Sequence, residues 1–131
     1  MPQVDLIDET YVVAPPARVA AIVGDPASWR RWWPDLRLRV TQDRGLAGVR
    51  WTITGALVGS MEVWLEAFAD GVIVHYYLRA DPTRSGSDTV IVWVTARAAL
   101  AERRRRARRA KVIFWALKDR LEDDRAPGVA R

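Results

Sequence analysis

The chain has no cysteine, a single histidine (His75), and no apolar run near the roughly 20 residues that cross a bilayer. Disulfides, thiolate metal ligands and cysteine nucleophiles are therefore excluded. With no second histidine and no paired carboxylates in the expected core, a catalytic triad or metal centre lacks its parts, so no cofactor is expected and catalysis is disfavoured. The first residues show no basic patch followed by an apolar stretch, and a cytoplasmic location is expected. Phenylalanine and methionine are scarce at two residues each, whereas there are seven tryptophans, so indole rings must supply the bulky aromatic packing.

The length of 131 residues, half of them hydrophobic, suits one domain over residues 1–125, with a disordered tail at 126–131 after Pro127-Gly128. Of 21 basic and 16 acidic residues, seven and one fall between 102 and 111, so the rest of the chain carries 14 against 15. Its body is near neutral and one helical segment holds the whole excess.

Residues 4–13 have strand composition and stop at Ala14-Pro15-Pro16. Pro15 and Pro16 open a helix that ends at Gly24, expected as a left-handed cap. Asp25-Pro26 then starts a second short helix carrying Trp29, Trp32 and Trp33, which Pro34 terminates. A helix this short does not persist alone in water, so its indoles need a surface to pack against. From Leu36 onward apolar and polar residues alternate with period two, broken by turn signals at Arg44-Gly45, Gly59-Ser60 and Asp70-Gly71 and by a loop at 81–88, with a last strand expected over Thr89–Ala98. Finally Ala110, Ile113, Phe114, Leu117 and Leu121 form a narrow stripe on a helix expected from Leu100 to Asp123. The expected class is α+β: a curved antiparallel sheet of about seven strands, two short helices after the first strand, and a long C-terminal helix against one face.

That element order, with Ala-Pro-Pro-Ala-Arg-Val at 14–19, Asp-Pro-Ala-Ser-Trp-Arg-Arg-Trp-Trp-Pro at 25–34 and Trp-Ala-Leu-Lys-Asp-Arg-Leu-Glu at 115–122, resembles the START-like, helix-grip superfamily. Within it the chain is most similar to the polyketide cyclase/dehydrase and lipid-transport branch. The resemblance implies a sheet gripping the last helix around an apolar cavity. It supplies no activity, because one scaffold hosts many.

Parity and helical spacing select the candidate walls of such a cavity: Trp32, Trp33, Trp51, Met61, Val63, Tyr76, Val92, Val94, Phe114 and Leu117. The same rings are equally suited to filling the core solid. Tyr76 shares the inward parity of Val74 and Leu78, whereas His75 falls on the outer face. On the helix, Arg103 and Arg106 project toward the cavity mouth, where they are candidates to hold an anionic head group, against the plainer reading of a solvated basic face. Arg104, Arg108 and Lys111 point aside and, with Arg103, make a candidate contact for an anionic membrane. Nucleic acid is disfavoured as a partner, since the basic run has no interleaved aromatics. The leading expectation is binding or transport of a small hydrophobic, lipid-like or polyketide-like ligand. The alternatives are a cyclase acting in the same cavity, or an adaptor or homodimer using Trp64 and Trp93.

Overall fold

Strand β1 (Val4–Val12) sets the pattern for the sheet: Val4, Leu6, Asp8, Thr10 and Val12 are buried while the intervening residues face outward. This computed structural model describes residues 1–123, so the tail expected at 126–131 lies outside the described residues. Helices α1 (Pro16–Val23) and α2 (Pro26–Trp32) follow, then β2 (Leu36–Asp43), β3 (Gly48–Gly55), β4 (Leu57–Phe68), β5 (Gly71–Pro82) and the long helix α3 (Ala96–Asp123). The five strands form one antiparallel sheet in the order β1-β5-β4-β3-β2. Its inner face and the α3 stripe of Ala110, Ile113, Phe114, Leu117 and Leu121 enclose the core.

Five strands form where about seven were expected, and the run at Thr89–Ala98 is not one of them. β5, the strand it follows, is already paired with β1 on one side and β4 on the other, so the place beside β5 that a hairpin return would take is filled. It makes a single bridge, Thr83 to Ile91, and Ala96 already belongs to α3. The helix starts four residues earlier than the apolar stripe suggests because Thr95 Oγ1 accepts from the Ala98 N–H and caps it. Gly24 ends α1 in the right-handed region, at φ −83°, not as a left-handed cap.

The turn expected at Gly59-Ser60 lies at Gly55-Ala56, and β4 runs through Gly59 without a break. Gly55 has φ +108°, and a Cβ there would come within 2.5 Å of the Asp35 carbonyl oxygen. This close approach brings the start of β2 against the β3–β4 turn: the Ala56 N–H donates to Asp35 O at 3.0 Å. Replacing Gly55 with alanine forces both a strained backbone and a clash with backbone. Gly55→Ala is expected to cost at least about 2 kcal/mol in urea unfolding, against under about 0.5 kcal/mol for Thr54→Ser at the neighbouring position.

Candidate functional site

The indole-bearing segment is held by local chemistry before it meets the sheet. Asp25 Oδ1 accepts from the Ala27 N–H at 2.9 Å, Pro26 occupies the first helical position, and Trp29 Nε1 donates to the Val23 carbonyl at 2.6 Å. Pro34 halts the helix just after Trp33, whose N–H closes it by donating to Trp29 O. Trp33 therefore leaves the helix end and enters the core. Its ring stacks on Tyr76 at 5.8 Å and meets Trp51 at 5.6 Å and Trp32 at 5.5 Å. Phe114 of α3 closes the group, 5.5 Å from Tyr76 and 6.0 Å from Trp32, and Trp29 abuts Trp51 at 5.2 Å.

Trp33, Trp51, Met61, Val63, Tyr76, Phe114 and Leu117 thus come together as one buried cluster, with Trp32 half-buried at its margin. In this conformation the rings interlock. The principal concavities, of about 300 to 610 Å³, open on the surface, and Trp33, Trp51, Tyr76 and Phe114 line none of them. Two polar atoms inside the cluster are poorly served. The Trp51 indole N–H is buried with no acceptor among the described residues. The Tyr76 hydroxyl donates only to the Met61 thioether, at 3.2 Å, while Trp33 hydrogen-bonds to it. Burial holds the phenol protonated far above its ordinary range, the Arg106 charge opposing this only in part.

The arginines of α3 take a different role from the one expected. Arg106, only 8% exposed, is spent on protein carboxylates: its two terminal nitrogens donate to Asp35 at 3.1 and 2.6 Å, and Nε donates to Glu102 at 3.0 Å. Its charge is thus met by two protein carboxylates and is not held ready for an anionic head group. Arg109 donates to the Arg31 and Trp32 carbonyls at 2.9 and 3.0 Å, capping the end of α2. Together they latch the corner that carries Trp32 and Trp33 onto α3. Arg103 is exposed and turns to β1, donating Nε to the Asp5 carbonyl at 2.9 Å, so it too sits away from the ring cluster.

Val92 and Val94 are not walls of the cluster either. They lie half-buried in the segment before α3, where Gln3 binds both backbones: Nε2 donates to Val92 O and Oε1 accepts from the Val94 N–H, each at 2.9 Å. His75 does occupy the outer face, yet it is only 7% exposed, because Trp64 stacks on it at 4.4 Å and its Nε2 lies 2.9 Å from Glu66. Trp64 is correspondingly half-buried, while Trp93 is 75% exposed. Sequence reasoning missed Asp35, Glu102 and Arg109. The i,i+4 spacing of Glu102 and Arg106 was a usable signal. Asp35, 71 residues from its partner, had none.

Solved structures with the same architecture include the Aha1 dimer from Colwellia psychrerythraea, 16% identical over 94% of this chain and 99% of that one, with a TM-score of 0.60. Protein Ms6760 from Mycobacterium smegmatis is 12% identical over 94% of each chain, with a TM-score of 0.58. Ara h 8.0201 is 14% identical over 92% of this chain and 98% of that one, with a TM-score of 0.52. The fold is the helix-grip fold. At these identities the likeness concerns architecture alone. No protein-family model matches the chain, and no curated protein does.

Partial burial pushes the Asp35 carboxyl up, but the hydrogen bonds and charge of Arg106 outweigh this and leave its pKa below the ordinary 3.8. A carboxyl lowered in the folded state stabilises fully above its unfolded value and loses that contribution as pH falls through the folded one. Protection of the Trp32, Trp33 and Asp35 amides, measured as exchange relative to the intrinsic rate at each pH, is therefore expected to fall below about pH 4 in the native protein and to lose that step in Asp35→Asn. Arg106→Ala, which leaves Asp35 without its ion pair and Glu102 with Arg105 alone, is expected to cost about 2 to 3 kcal/mol in urea unfolding.

Proposed function

We propose that the chain binds a small apolar molecule carrying one hydrogen-bond acceptor, such as a carbonyl or carboxyl, between the sheet and α3. The observation that supports this most is the Trp51 indole N–H, buried among rings without an acceptor. An unmet buried donor costs about 1 to 3 kcal/mol, so a site that retains one gains from any guest that supplies an oxygen there. The Tyr76 hydroxyl, which accepts from Trp33 but donates its own proton only to sulfur, is a second donor in the same ring cluster. A guest enters by displacing indoles, not by filling a standing void, and the α2–β2 corner with Trp32 and Trp33 is the part to move. It is tied to α3 by side chains alone, through Arg106, Arg109 and the Trp32–Phe114 contact, whereas Trp51, Met61 and Tyr76 are fixed in paired strands.

A carrier or sensor fits these groups better than a cyclase. Tyr76 can donate to a carbonyl, but the groups that could take a proton from carbon are engaged or turned away: His75 lies on the opposite face of the sheet, Asp35 is committed to Arg106, and Asp8, buried opposite Tyr76 on β1, is paired with Lys111 and accepts from Thr10. The lipid-transport side of the superfamily is thus the reading we adopt.

The test is native mass spectrometry of the chain purified without detergent, followed by titration of any extracted adduct, or of oleate as a probe, into native protein and Trp51→Phe. The expected result is an adduct of lipid-like mass and binding about tenfold weaker in Trp51→Phe, the equivalent of one lost hydrogen bond. If Trp51→Phe binds as well or more tightly, the indole N–H is not used. If neither adduct nor oleate binding appears, the interior is a closed core and the proposal fails.

A further inference from the structure

Helix α3 carries a second stripe, mixed basic and apolar, that the core does not use. Leu100, Arg104, Arg108, Lys111 and Trp115 recur at three- and four-residue intervals, with Val112 beside them, so they share the side turned away from Ile113 and Leu117. Three bulky apolar residues converge there in the open: Trp115 is 58% exposed, Val112 60%, and Ile7, across the seam on β1, 62%. Between helix and strand runs a groove of about 560 Å³ lined by Leu6, Ile7, Arg103, Ala107, Val112 and Trp115.

The cations around this groove are not neutralised in the way those near the latch are. Arg104 and Arg108 have no acidic partner among the described residues, and Arg103 is bonded to a backbone carbonyl, which leaves its charge intact. Lys111 pairs with Asp8 at 2.6 Å and stands 5.9 Å above the Trp115 ring. An uncompensated row of arginines therefore flanks an indole and two aliphatic side chains on one rigid helix.

We propose that the β1–α3 seam docks on the surface of an anionic phospholipid membrane. Arg103, Arg104 and Arg108 would lie at phosphate level, with Trp115, Val112 and Ile7 entering the headgroup boundary, where an indole with one apolar and one polar edge is favoured. Arginine matches phosphate in two-point geometry, and each cation near such a surface contributes about 1 kcal/mol. The contact is independent of any guest in the ring cluster, since none of these residues belongs to it.

The test is flotation of the full chain with phosphatidylcholine vesicles, pure or containing about 30% phosphatidylglycerol, at low and high salt. Binding is expected only with the anionic vesicles and is expected to fall at high salt. Arg104→Ala with Arg108→Ala should weaken it at least about tenfold, and Trp115→Ala several-fold, while Arg39→Ala on β2, the opposite edge of the sheet, should leave it unchanged. Circular dichroism of each variant checks that α3 is intact; these side chains are exposed, so folding should survive. Equal binding to both vesicles, no binding, or equal loss in Arg39→Ala would overturn the proposal. So would a dimer in solution that Trp115→Ala dissociates without any vesicle binding, which would make the seam a self-contact.

Discussion

The fold depends on getting Trp33 inside. Its ring touches Tyr76, Trp51 and Trp32, so one side chain ties the end of α2 to β3 and β5. Burying an aromatic of this size contributes about 3 kcal/mol, and each well-placed ring pair adds about 1 kcal/mol. The backbone is arranged to permit it: Asp25 and Pro26 set where the helix begins, Pro34 sets where it stops, and Gly55 lets the following residue approach the β3–β4 turn. What the rings do not satisfy, namely the Trp51 N–H, is the feature on which the functional reading turns.

The seven cations of residues 102–111 divide by position into distinct roles. Arg106 is buried between two carboxylates and Arg109 caps α2, so these two belong to the latch. Arg103 and Lys111 bind the strand at the sheet edge, while Arg105 pairs with Glu102. Arg104 and Arg108 have no acidic partner among the described residues and leave that stretch of the helix with uncompensated positive charge. A single composition figure hides this division, because a guanidinium paired at 8% exposure and one in water have the same formal charge.

Much of the architecture was legible because it rests on local rules. Period two placed Trp51, Met61, Val63 and Tyr76 on one face, and period 3.6 placed Ile113, Phe114 and Leu117 on the helix stripe; all of them are in the core. The failures share one cause. Thr89–Ala98 alternates as well as any strand does, yet pairing partners are a property of the whole sheet, and β5 had none to offer. For the same reason Val92 and Val94 fell outside the cluster and Arg106 met Asp35 instead of a ligand. Whether rings that fit a wall also fill the space between walls depends on side-chain directions in three dimensions, and periodicity carries no information about that.

β1 lies at one edge of the sheet, and the helix that lies alongside it is the last element of the described chain. Arg103 reaches Asp5 across 98 residues, Lys118 reaches the Tyr11 carbonyl across 107, and Glu122 accepts from the Val13 N–H across 109. During synthesis, β1 must therefore wait for about a hundred further residues to leave the ribosome before its outer backbone groups are covered. Until then it offers nascent neighbours an open edge, which makes the interval before α3 emerges the period of greatest exposure to misassembly and to chaperones.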